Sequence, residues 1–118
     1  VCDFFSYGTN DLTQLTFGFS RDDAARFLND YYTKNILDHD PFMSLDLNGV
    51  GTLVKVSSQM ARQVKNNISL GVCGEHAADE KSIEFFDKIG LSYISASAYR
   101  VPVAKLAAAK AALINKNN

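Results

Sequence analysis

At 118 residues the chain is long enough for one domain, or for a piece of a larger one. Its 47% hydrophobic and 21% charged residues belong to a packed globular chain rather than a disordered one. A formal net charge of -1 argues against nucleic acid or an anionic membrane surface as partner, and no apolar run approaches the roughly 20 residues of a spanning helix. Val1 opens directly onto an apparent strand, with no basic start and no cleavage region. The expectation is a cytoplasmic protein, with an organellar one left open, and a chain cut from a longer one. Cys2 and Cys73 sit at unrelated strand positions and are not expected to pair, so the composition fits a reducing compartment.

In chain order, "VCDFFSY" at 1–7 reads as a strand, too short for a helix and ended by Gly8. "SRDDAARFLNDYYTKN" reads as a helix opened by Ser20, with Asp23 three residues on as a short version of the capping box. "LDHDPFMSLDLNG" is a polar loop. "GVGTLVKVSSQMARQVKNN" is an amphipathic helix with Val50, Leu53, Val54, Met60, Ala61 and Val64 near one face. "ISLGV" at 68–72 is a second strand, with Cys73 at its tip, and Asp79 caps a helix over "EKSIEFFDKIG" that Gly90 stops. "SYISAS" at 92–97 is the third strand. The alanine-rich "VPVAKLAAAKAALINKNN" closes the chain as a helix with Pro102 in its first turn and a fraying polar tail. None of the strands alternates cleanly, which suits parallel strands, and the βα order makes the chain an α/β protein with a parallel sheet.

The polar residues fall in one register. "GTND" follows the first strand, "CGEH" the second and "SAYR" the third, so Asn10, Asp11, Cys73, Glu75 and Arg100 come to one sheet edge. In parallel α/β folds the C-terminal ends of the strands carry the chemistry. Gly8 admits close approach of a ligand, Thr9 and Asn10 offer donors to an oxyanion, and Asp11 is a hard oxygen donor suited to Mg²⁺. Cys73 can attack as a thiolate or move a proton.

Each of these has a plainer explanation. "GTNDL" also reads as a strand-ending turn with Asp11 as a helix cap, Cys73 as buried filler, and Glu75 and His76 as solvated turn residues. Arg100 also reads as a surface ion pair, His39 as a structural loop residue and Cys2 as core. No CxxC or HExxH spacing points to zinc.

Taken together, "FFSYGTNDLTQLTFGFSRDDAARFL", "DPFMSLDLNGVGTLV", "LGVCGEHAAD" and "YISASAYRVPVAKLAAAKAAL" closely resemble the C-terminal end of the pyruvate phosphate dikinases, among the phosphoenolpyruvate-utilising enzymes. The "FSRDD" stretch favours the dikinases over the phosphoenolpyruvate synthases and the sugar phosphotransferase enzyme I. Departures are mild: "HAADEKS" where a glycine pair and a proline are usual, and "SASAYR" where "SCSPFR" is common.

The resemblance implies that residues 1–118 form about the last three βα units of a (β/α)8 TIM-type barrel binding pyruvate or phosphoenolpyruvate. It implies Gly8, Thr9, Asn10 and Asp11 as substrate contacts, Asp11 also as a Mg²⁺ ligand, and Cys73 as the acid/base at the pyruvate methyl carbon. A thiol's reference pKa of about 8.5 suits proton transfer in both directions. The implied partners are a phosphohistidine domain of the same full-length chain and a second subunit in a homo-oligomer. The other metal ligand, the phosphate-binding arginines and the ATP site are expected upstream, so the chain alone is expected to be inactive.

Overall fold

The computed structural model describes residues 2–116. Three parallel strands, β1 (Phe4–Gly8), β2 (Ser69–Cys73) and β3 (Tyr93–Ser95), stand in the order β1-β2-β3. The helices are α1 (Thr9–Phe17), α2 (Arg21–Ala24), α3 (Leu28–Thr33), α4 (Val50–Val64), α5 (Glu80–Lys88) and α6 (Val101–Lys116). Short 3-10 turns at Glu75–Ala78 and Ala98–Arg100 follow β2 and precede α6. The α/β class and the parallel sheet are as the sequence implies.

Side chains alternate along each strand, and here the two faces have different fates. Phe5, Tyr7, Leu70, Val72 and Ile94 join the main core with Val50 and Val54 of α4 and Phe86 of α5. Val50, Val54, Leu70 and Val72 are wholly buried, each worth about 1.5–3 kcal/mol of burial. Ile94 also touches a second cluster in which Ile83 of α5 meets Ala104, Ala107 and Ala111 of α6. The small alanines let α6 lie close against α5.

The opposite face carries Phe4, Ser6, Ser69, Gly71, Cys73, Tyr93 and Ser95. Phe4 is 65% exposed and Ser6 and Ser95 are exposed. Only Gly71 on this face is buried, and the Tyr93 ring covers it.

Several boundaries differ from those read in the sequence. β1 begins at Phe4, which leaves Cys2 exposed rather than in the core. Val1 of that expected strand, and Asn117 and Asn118 of the expected tail, lie outside the described residues. β2 extends one residue to include Cys73, and β3 shrinks to three residues. "TNDLTQLTF" is a helix, missed because Gly-Thr-Asn-Asp has turn chemistry and no strong apolar period. The helix expected from Ser20 is two short ones. The break at residues 25–27 lets Phe27 stack edge-on with Phe19, 5.1 Å between centroids, in a satellite core of Ala24, Leu28 and Phe42. Ser20 does cap α2, accepting from the Asp22 N–H at 3.2 Å, but Asp23 pairs with Arg26 instead of closing a box.

The expected face of α4 is also corrected. Val50, Val54 and Ser58 are buried at i, i+4, i+8, whereas Leu53, Met60 and Val64 are 51%, 60% and 89% exposed. The apolar arc of this helix is wider than the sheet and α5 cover. Asp79 caps α5 as expected, accepting from the Ser82 N–H at 2.9 Å, and Gly90 turns the chain after it at φ +74°.

A Cβ on Gly71 would stand 2.1 Å from the Tyr93 ring, so Gly71→Ala must displace that ring. We expect a loss of about 1–3 kcal/mol, typical of overpacking. Urea unfolding of the 118-residue chain followed by circular dichroism measures it; an unchanged midpoint would mean that the ring moves without cost.

Candidate functional site

The register of the sheet assembles the site. Gly8 is the partner of Cys73, and Cys73 of Ser95, so the three strand tips are level at the C-terminal edge. Cys73 lies on the face that no helix among the described residues covers, half-buried, and its thiol donates to the Tyr7 carbonyl at 3.6 Å. It is a free thiol, as is Cys2.

Beyond Cys73 the chain turns sharply at Gly74, at φ +114°. A Cβ there would stand 2.7 Å from Thr9 Oγ1 and 3.1 Å from Asn10 Oδ1, so only glycine allows the β2 loop to seat against the start of α1. Two hydrogen bonds join the loops. The Glu75 N–H donates to Asn10 Oδ1 at 3.3 Å, and the Thr9 hydroxyl reaches the Cys73 carbonyl at 3.0 Å. The first bond fixes the orientation of the Asn10 amide. Its two N–H donors meet no acceptor among the described residues and remain for a ligand oxygen.

Asp11 sits in the first turn of α1 with an exposed side chain; Gly8, not Asp11, is the N-cap. Its carboxylate folds back over the strand tip, where a Cβ on Gly8 would lie 2.9 Å from Oδ2. A hard carboxylate oxygen over bare backbone fits Mg²⁺, which takes one or two carboxylates along with substrate oxygens. No group of three or more His, Cys, Asp or Glu gathers among the described residues, and Asp11 by itself offers a single carboxylate donor.

Glu75 and Arg100 are brought together as the sequence suggests. Glu75 lies 3.8 Å from Arg100 and 3.7 Å from Arg21, so two turns and the start of α2 meet at one carboxylate. Arg21 also stands over the Phe42 ring, 6.0 Å from its centroid. Beside this pair a cavity of about 180 Å³ is lined by Gly74, Glu75, Ser95, Ser97 and Arg100 among others. His39 is exposed in its loop and takes no part.

The residue whose place was least foreseen is His76. It is fully buried, not solvated, with Nδ1 2.8 Å from Thr9 Oγ1 and Nε2 2.7 Å from the Pro41 carbonyl. Burial holds its pKa below the ordinary value of 6.5, against smaller upward pulls from the Pro41 carbonyl, Asp79, Asp40 and Glu75. A histidine kept neutral by folding takes up a proton more readily when unfolded. Its contribution to stability is therefore full above about pH 6.5 and is lost as pH falls toward the lower folded-state value. We expect the advantage of the wild type over His76→Gln in urea midpoints to shrink between pH 7.5 and pH 5, by at most about 1.4 kcal/mol per pH unit. A difference independent of pH would show that His76 does not titrate on unfolding.

Residues 1–113 match the family model of the PEP-binding domain of PEP-utilising enzymes. The chain is 56% identical, over 97% of its length, to a pyruvate, phosphate dikinase of Clostridium symbiosum, of which it covers 13%. It is 56% identical over 94% of its length to one of Rhizobium meliloti, covering 12% of it. To a chloroplastic one of Flaveria bidentis it is 53% identical over 92%, covering 11%. The chain thus spans about an eighth of the length of the curated relatives it matches. It belongs to the PEP-utilising enzymes, through their PEP-binding domain.

Proposed function

We propose that the chain carries part of the pyruvate and phosphoenolpyruvate site of a pyruvate phosphate dikinase, at the rim of a (β/α)8 barrel of which it forms about three βα units. The full-length reaction is then pyruvate, ATP and phosphate to phosphoenolpyruvate, AMP and diphosphate. The observation that carries this is the level placement of Gly8 and Cys73 on an uncovered sheet face, with Asn10 tied to the loop that follows the thiol.

Pyruvate becomes an enolate by losing a proton from its methyl carbon, and phosphoenolpyruvate returns to pyruvate by gaining one there. Cys73 takes that proton as thiolate and returns it as thiol. The Asn10 amide donates to a carboxylate or phosphoryl oxygen of the substrate, and the Gly8 backbone permits its close approach. Thr9 contributes through its backbone, its hydroxyl being engaged inside the fold. Asp11 would hold Mg²⁺, which when bound supplies positive charge to the enolate oxygen. A phosphohistidine domain of the full-length chain would deliver the phosphoryl group to this rim.

In the full-length enzyme, Cys73→Ala should abolish pyruvate turnover while carrier-histidine phosphorylation from ATP continues. Normal turnover would remove Cys73 from the chemistry. The isolated chain offers one metal ligand and no phosphoryl donor, and losses of a single charge stabiliser already cost roughly 10² to 10³ in rate. Its methyl protons of pyruvate, followed by NMR with Mg²⁺ in D₂O, should therefore not exchange; exchange above a Cys73→Ala control would mean that the three strands hold a complete site.

A second reading, a module for subunit contact, is favoured by the exposed Leu106 and Leu113 of α6, 74% and 67% accessible. Sedimentation distinguishes it: self-association of the isolated chain is its expected result, and a clean monomer at high concentration would count against it.

A further inference from the structure

His76, Thr9 and Cys73 form a hydrogen-bonded line from the loop at Pro41 to the strand tip, and with the imidazole neutral, the form that burial favours, this line is one proton short. The Pro41 carbonyl only accepts, so the 2.7 Å contact requires a proton on Nε2 of His76. With the imidazole neutral, Nδ1 is then an acceptor, 2.8 Å from Thr9 Oγ1. The Cys73 carbonyl, 3.0 Å from the same hydroxyl, is also only an acceptor. Thr9 has a single hydroxyl proton for two acceptors, and all of this lies where no solvent reaches, since both Thr9 and His76 are fully buried. Asp40 on the 37–49 loop, Asp79 at the α5 cap and Glu75 on the same turn act on the ring through their charge, and as carboxylates none of the three supplies a proton to Nδ1.

We infer that His76 is a positioning residue for the chemistry of Cys73, acting through the choice the Thr9 hydroxyl makes between Nδ1 and the Cys73 carbonyl. Donation to the carbonyl clamps the tip of β2 against α1. Donation to Nδ1 loosens that clamp, while the thiol keeps its contact with the Tyr7 carbonyl and the loop its bond to Asn10. The packing of Gly74 against Thr9 and Asn10 keeps the resulting change in the thiol's aim small. The line thereby ties the Pro41 loop, α1 and the thiol into one unit. This rests on the reading of Cys73 as the acid/base, and it deepens that reading by naming what aims the thiol.

The test uses the full-length enzyme and the exchange of pyruvate methyl protons with solvent. Thr9→Val removes the hydroxyl at nearly constant shape, and His76→Gln removes the imidazole. Each should slow exchange by about tenfold or more, the scale on which a misplaced group costs rate, while the pyruvate KM moves less than about threefold. Thr9→Ser, which keeps a hydroxyl, should recover at least about fivefold over Thr9→Val. The double variant Thr9→Val/His76→Gln should be no slower than the slower single, since both cut the same line. Carrier-histidine phosphorylation from ATP, measured alongside, shows that the rest of the enzyme is intact. Multiplying losses, an equal rate for Thr9→Ser and Thr9→Val, or a change confined to KM would overturn the inference. Should Cys73→Ala itself exchange normally, the acid/base reading fails; should Cys73→Ala be dead while Thr9→Val runs at the wild-type rate, only the positioning role fails.

Discussion

Everything at the rim depends on the parallel register of β1, β2 and β3 with helices packed on one face alone. Parallel strands place their C-terminal tips at one edge, so loops far apart in sequence converge there. The alternation of side chains then sorts the residues. Phe5, Tyr7, Leu70, Val72 and Ile94 go to the helices, and the odd partners of Leu70 and Val72, ending in Cys73, go to the open face. A slip of one residue in β2 would send the thiol into the core and Val72 out. The burial of Leu70 and Val72 against α4 and α5 is thus what keeps Cys73 accessible.

Register brings the loops near, and hydrogen bonds inside the fold set their geometry. The ion pairs of Glu75 with Arg21 and Arg100 join partly exposed groups at 3.7 and 3.8 Å, and such pairs contribute about 0–1 kcal/mol each. The contacts of His76 are shorter, buried and costly to leave unmade, about 1–3 kcal/mol for an orphaned group. Placement of the β2 loop therefore falls to the histidine and to Gly74, while the Glu75 pairs orient two arginines without adding much to stability.

Much of this was legible before the structure. The βα order, the Asp79 cap and the convergence of "GTND", "CGEH" and "SAYR" all follow from short-range patterns and from the geometry of parallel sheets. What failed depended on tertiary partners. No local signal separates a buried His76 from a solvated one, because its acceptor at Pro41 lies 35 residues away. The α4 stripe was read too broadly because apolar periodicity reports what a helix can bury, not what its neighbours cover. The Ser20 helix broke for a related reason: packing of Phe19, Phe27 and Phe42 outweighed the propensity to continue.

The exposed side of α4 and the open face of the sheet point the same way. Leu53, Val56, Met60 and Val64 line one side of α4, and Phe4 and Tyr93 lie on a face where a parallel sheet is ordinarily covered. In a closed barrel both surfaces would be internal: the sheet face would fill the centre, and the helix flank would meet the neighbouring βα unit. The same closure would take Cys73 and the Asn10 amide from half-exposed to enclosed. Fewer waters would then compete for those donors, and each would act more strongly on a bound anion. The apolar surface this chain leaves open and the chemistry proposed at its rim thus call for the same thing, a partner that completes the wall around the strand tips.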